Sequence, residues 1–307
     1  MIDNPVLCAL RGRASVRKYR KEQPSEEVLE AVLSAGRQAP FASQLYSVLL
    51  TRKKKAPFGA PLWFVVCVDA HKLERFMALR GWKVATNDLT LLLLGMQDAA
   101  YAAENMVIAA ESLGMGSCFL GEGSINAKRI GAIAKQYNLP KRVLPMVELV
   151  MGYPEERLAP RPRYPRPFVL FEDRYPELGE AEVRDAMRAM DEGFLAEGYY
   201  AKLGNKIELE DGREDRFTFA DYSWTEHISR KWGQWLRDPE ELLGQLRARG
   251  FTLGARPADG ARDPAASARP GGEVGLARRE PCGGDDPAES AGVHDLATGD
   301  RRSRQGP

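Results

Sequence analysis

Apolar residues first recur at helical spacing just beyond Ser25. Val28, Leu29, Val32 and Leu33 form one face, and that 3.6-residue period predicts an amphipathic helix. Ser25 is placed to cap its N-terminus, Glu26 and Glu27 fall in the first turn, and Pro40 closes it. The pattern then shortens. Residues 47–51 and 62–68 are rich in Val, Leu and aromatics, which predicts strands. The basic run Arg52, Lys53, Lys54 and Lys55 between them reads as a solvated loop tip.

A second alternation follows. Residues 98–113 are alanine-rich and close on Gly114, predicting a long helix. Its apolar residues run almost all round, so it belongs in a core or in a subunit interface. Residues 115–120 read as a short strand leading into the turn Gly121, Glu122 and Gly123. Residues 128–137 predict another amphipathic helix, stopped near Pro140, and residues 143–153 a long apolar strand ending at Pro154. Together these elements predict a compact α/β core over residues 1–176.

Beyond that core the pattern weakens. The stretch 157–176 is proline-rich and basic, which keeps it extended. Residues 180–190 predict a helix. Phe217, Phe219, Tyr222, Trp224, Trp232 and Trp235 then cluster. They suit a packed arm laid on an apolar surface or an aromatic lid over a ligand. Residues 177–254 are therefore expected to form a helical and aromatic extension packed on the core or on a partner. From residue 255 to 307 Gly, Ala, Arg, Asp and Pro dominate without an aromatic residue. Such a segment buries too little apolar area to offset its ordering entropy, and a disordered low-complexity tail is expected.

Charge and cysteine usage narrow the chemistry. The net charge of +1 argues against a nucleic-acid-coating protein. No apolar run approaches the roughly 20 residues that span a bilayer. A cytoplasmic protein without a membrane partner is expected. Cys8, Cys67, Cys118 and Cys282 form no CxxC pair, and His71, His227 and His294 are widely spaced, so no metal site is expected.

The sharpest chemical feature lies near the N-terminus. Arg13, Ser15 and Arg17 alternate, and in an extended segment all three point to one face. On spacing alone this reads first as a solvated basic arm and second as a phosphate grip. Neither familiar nucleotide loop is present: Gly114, Gly116 and Gly121 follow a helix instead of opening one, and there is no Walker lysine. A phosphate would then be held by side chains from separate segments, with Arg161 and Arg163 as the second set and the basic run 52–55 as a third candidate.

These features resemble the FMN-dependent nitroreductase family. The resemblance rests on the alternating Arg13, Ser15 and Arg17, and on Ala39 and Pro40 closing the first helix. It also rests on the run from Ala103 through Asn105, Met106 and Ala109 to Gly114 and Gly116, and on Gly152, Tyr153 and Pro154 followed by Arg161 and Arg163. It covers about residues 5–170 and implies an α+β fold, with a central, mostly antiparallel sheet flanked by helices. It further implies a homodimer with FMN at the subunit interface and NAD(P)H as reductant. On that resemblance Arg13, Ser15, Arg17, Arg161 and Arg163 would hold the phosphate and ribityl chain. Pro40, Phe41, Ala42, Ser43 and Gln44 would contact the isoalloxazine ring. Asn87 would reach the ring or ribityl, and Leu120, Gly121 and Glu122 would place a backbone donor near flavin N5. The loop after Pro40 lacks the Asn and the Pro-Trp pair that many members carry there.

The function implied is ping-pong reduction of a small electron-poor acceptor, a nitroaromatic or a quinone, with no catalytic side chain and no metal. Two alternatives stay open: an FMN oxidase or dehalogenase-like enzyme whose substrate is covered by Tyr199, Tyr200 and Trp224, and a non-enzymatic flavin-binding protein.

Overall fold

The computed structural model describes residues 2–254, apart from 53, 54, 157 and 235–237. Along them the chain forms α1 (Pro5–Gly12), α2 (Glu26–Arg37), β1 (Tyr46–Thr51), β2 (Leu62–Asp69), α3 (His71–Leu79) and α4 (Asp88–Ser112). There follow β3 (Gly116–Leu120), α5 (Ala127–Gln136), β4 (Val143–Gly152), α6 (Glu180–Ala196), α7 (Tyr199–Leu203), α8 (Trp224–Gln234) and α9 (Pro239–Ala248). The expected tail, Trp235, Lys53 and Lys54 lie outside the described residues.

The strands make one sheet in the order β1-β2-β4-β3, and every neighbouring pair is antiparallel. The fold is thus α+β, with helices covering the sheet. All eight positions of β2 are buried, as a strand covered on both faces requires. Its residues divide with period two. Leu62, Phe64 and Val66 pack with Val32 of α2 and with Ala99, Ala103 and Met106 of α4, whereas Val65 and Cys67 pack with Ile133 of α5. The β2–β4 register slips between Val66 and Cys67, where Pro145 lies opposite; proline has no N–H to give to the ladder.

Helix α4 begins at Asp88, well before the expected start at residue 98. The Asn87 side chain caps it, accepting from the Thr90 N–H at 2.8 Å. The run Leu89 to Leu94 carries no readable period, because the helix divides it. Leu91 and Leu92 enter the core, while Leu89 and Leu93 remain exposed with Met96 and Tyr101. Within the expected span Ala99, Ala102, Ala103, Met106 and Val107 enter the core, while Tyr101 is exposed in the single chain, on a face that a subunit interface would cover. Helix α6 runs on to Ala196, beyond the expected end at residue 190. Helices α1, α3, α7, α8 and α9 were not foreseen. Of these, α9 with the residues after it matters to the core: Leu246 and Phe251 join Leu45, Val68, Leu91 and Ile130. No helix among the described residues is long and apolar enough to cross a membrane.

Candidate active site

After α1 the chain runs extended along the edge of the sheet. Ser15 bridges Ser117 of β3 in parallel, and the Val16 N–H donates to the Ser117 carbonyl at 2.9 Å. Gly116 makes room for this: a Cβ there would lie 2.5 Å from Val16 Cγ2. Tyr19 anchors the far end, its buried hydroxyl donating to the Val16 carbonyl at 2.7 Å. Ala14 and Val16 are buried, so Arg13, Ser15 and Arg17 face the other way, as the alternation predicts.

Together with Arg161 these three residues act on the buried Cys118 of β3. Burial pushes the Cys118 thiol up, while the guanidiniums of Arg17, Arg161 and Arg13 and a hydrogen bond with Ser15 draw it down. Nearby, burial raises the Glu111 carboxyl against the pull of Arg13. Among the described residues none of Arg13, Arg17, Arg161 and Arg163 forms an ion pair with a carboxylate. Arg161 donates to the Tyr199 hydroxyl at 2.7 Å. Arg163 is exposed and turned back on the chain, donating to the carbonyls of Arg161 and Pro162 at 2.8 and 3.1 Å.

The loop after α2 is held from below by Asp98 of α4. The Asp98 carboxylate accepts from the backbone N–H of Ala42 at 2.6 Å, Ser43 at 3.1 Å and Leu45 at 2.9 Å. Gln44 lies between them with a left-handed backbone, φ 52°. Pro40, Phe41, Ala42, Ser43 and Gln44 are all exposed. A cleft of about 370 Å³ opens beside Gln44, bounded by Arg37, Tyr46, Ser47 and Lys72.

The turn after β3 sits on an ion pair between buried Glu148 and partly exposed Arg129. Leu120 pairs with Glu148 of β4, whose carboxylate accepts from Arg129 Nε at 2.7 Å and Trp63 Nε1 at 3.0 Å. Gly121 and Glu122 turn away from the sheet, and the Glu122 carboxylate accepts from Asn126 Nδ2 at 3.1 Å. Asn87 lies at the start of α4, its oxygen engaged in capping.

The arm forms an aromatic cluster of its own, with Met190, Phe194, Tyr200 and Tyr222 at its centre. Tyr200 is buried there, stacked on His227 with ring centroids 4.6 Å apart. Trp224 packs edge-on against Tyr164, centroids 5.5 Å apart. Arg230 is buried and paired with Asp215 and Glu226.

In one chain the two halves of the candidate set lie at opposite edges of the sheet. Residues 13–17 and the turn at 120–122 adjoin β3, whereas residues 40–44 lead into β1. Three strand spacings separate those edges, about 14 Å. Sequence reasoning missed Asp98 and the Glu148–Arg129 pair. A lone acid inside an alanine-rich helix is the signal that marks Asp98. Among the described residues no three His, Cys, Asp or Glu side chains are grouped to hold a metal ion.

A model of the Nitroreductase family matches residues 10–56 and 48–153. A Cr(VI) reductase of Pseudomonas sp. strain G-1 is 32% identical over 181 residues, covering 54% of this chain and 73% of that protein. An FMN reductase [NAD(P)H] of Bacillus subtilis is 31% identical over 206 residues, covering 62% and 81%. Among solved structures, the hypothetical oxidoreductase YcnD of Bacillus subtilis superposes with a TM-score of 0.68 at 26% identity, covering 81% of this chain and 98% of that one.

Proposed function

The chain belongs to the nitroreductase family, and from that premise we propose an FMN-dependent NAD(P)H oxidoreductase that reduces a flat, electron-poor small molecule such as a nitroaromatic or a quinone. The observation that carries the reading is the extended edge segment whose buried Ala14 and Val16 leave Arg13, Ser15 and Arg17 on the opposite face beside β3, with guanidiniums that form no ion pair among the described residues. A terminal phosphate monoester fits such a set: its oxygens accept from planar guanidinium pairs and from a hydroxyl.

FMN, when bound, would supply the redox chemistry between NAD(P)H and the acceptor, the two using one site in ping-pong order. The chain's own residues bind and orient. Arg13, Ser15, Arg17, Arg161 and Arg163 hold the phosphate and ribityl end. Pro40, Phe41, Ala42, Ser43 and Gln44 would contact the ring, and Asn87 the ring or the ribityl chain. The turn Leu120, Gly121 and Glu122 would supply a backbone N–H donor to the flavin. Tyr199, Tyr200 and Trp224 belong to an arm coupled to this anchor through the Arg161–Tyr199 hydrogen bond. That coupling favours, as a second reading, an enzyme whose specific small substrate is covered by the arm.

A homodimer completes the site. The exposed stripe Leu89, Leu93 and Met96 on α4 supplies an apolar contact face. The separation of residues 13–17 from 40–44 across the sheet is bridged if one protomer contributes the phosphate set and its partner the ring loop. The test is the double substitution Arg13→Ala and Arg17→Ala. The purified variant is expected to be colourless while retaining its fold; full retention of FMN contradicts the reading.

A further inference from the structure

We propose that Asp98 is a positioning residue for the flavin reaction: its buried carboxylate sets the shape of the 40–45 loop and thereby the seat of the isoalloxazine ring. The inference rests on the reading that this loop contacts the ring.

Asp98 is 1% exposed in the middle of a helix whose neighbouring buried positions are Ala99, Ala102 and Ala103. A carboxylate buried there is costly unless its oxygens are satisfied. Among the described residues no cation pairs with it; three backbone N–H groups of one loop do, from Ala42, Ser43 and Leu45. Hydrogen bonds to an ionised acceptor are about twice as strong as neutral ones. The donors are not consecutive. Gln44 is skipped, and its φ of 52° turns the chain so that Ser43 and Leu45 converge on the same oxygen. A non-glycine residue in that region is held by its surroundings, and Asp98 supplies the hold.

The contact surface of α4 is shaped for this. One turn earlier Gly95 lets the loop close: a Cβ there would lie 2.5 Å from Val68 Cγ1 and 3.3 Å from the Leu45 carbonyl oxygen. Beyond it, Asn105 Nδ2 donates to the Ala35 carbonyl at 3.1 Å, fixing the end of α2 from which the loop departs. The loop is therefore tied at its exit, its middle and its entry to β1, all to one helix. Phe41, half-exposed, and Ser43 are left on its outer side. The apolar helix thus carries one charge at the place where a flexible exposed loop has to become a rigid platform. Rigid support of this kind governs how well a reacting ring is oriented.

The experiment uses the FMN-loaded protein and the Asp98→Asn variant. An amide retains one acceptor oxygen and turns an NH2 donor toward N–H donors. FMN affinity, followed by flavin fluorescence quenching, is expected to change by less than about tenfold, because the phosphate set is untouched. The visible flavin band should shift. Reduction of the bound flavin by NADPH in stopped flow should slow by about 10- to 100-fold. An unchanged band and an unchanged reduction rate in a folded, FMN-bound variant overturn the proposal. A wild-type protein that does not take up FMN overturns the functional reading instead, so the two failures are distinct. Should Asp98→Asn fail to fold, amide exchange in the wild-type protein decides. The N–H groups of Ala42, Ser43 and Leu45 are expected to be protected despite the exposure of Ala42 and Ser43, and exchange at free-loop rates overturns the proposal.

Discussion

Arg161 lies over the ring of Tyr199, its guanidinium carbon 4.6 Å from the centroid, and also donates to the Tyr199 hydroxyl at 2.7 Å. The arm and the anion-binding set are thus joined through one side chain. Tyr199→Phe keeps the ring and removes the acceptor. Loss of a hydrogen bond to a charged donor costs about 1.5–3 kcal/mol, so FMN affinity is expected to fall by at least tenfold, read by fluorescence titration. Unchanged affinity would separate Tyr199 from the anchor.

Gly152 ends β4 where Pro61 and Tyr19 close upon it. A Cβ there would lie 2.4 Å from Pro61 Cδ and 3.2 Å from Tyr19 Cδ1. The proline ring cannot rotate away, so Gly152→Ala is expected to destabilise by about 1–3 kcal/mol. Because Tyr19 anchors the 13–17 segment, FMN affinity should fall in the same variant. Thermal unfolding with and without FMN measures both.

His227 stacks on Tyr200, and its Nδ1 lies 3.1 Å from the Tyr222 hydroxyl. Burial, then the Lys231 charge, holds its pKa below the ordinary 6.5. The folded arm therefore binds fewer protons than the unfolded chain just below pH 6.5, and stability is lost as the pH falls through that window. His227→Gln is expected to flatten this acid slope below pH 6.5, measured by denaturant melts.

Leu93 stands on the exposed stripe of α4 between Leu89 and Met96. Leu93→Arg places a charge in the proposed dimer face. Sedimentation should find a monomer, and FMN should be lost with the partner's contribution to the site. A folded monomer that binds FMN as tightly as the wild type would place the whole site within one chain.

Local signals made much of the core legible. Ser25 caps α2, accepting from the Val28 N–H at 3.3 Å. Gly114, with φ 77°, closes α4, and the 13–17 alternation is realised in buried Ala14 and Val16. The start of α4 was not legible because Leu89 to Leu94 is leucine at every position but Thr90, and its division into two faces depends on the neighbours it meets. Helix α9 was missed because Leu242, Leu243 and Leu246 have no meaning until Phe251 and Leu45 are beside them. Asp98 was read as the first residue of a helix. Its role depends on three N–H groups more than fifty residues away in sequence.

The most direct measurement is the visible spectrum of the FMN-loaded protein during anaerobic addition of NADPH. The account predicts flavin absorption at the outset, bleaching on NADPH, and its return when a quinone or nitroaromatic is added. A protein that stays colourless in excess FMN, or whose bound flavin ignores both NADPH and NADH, contradicts it.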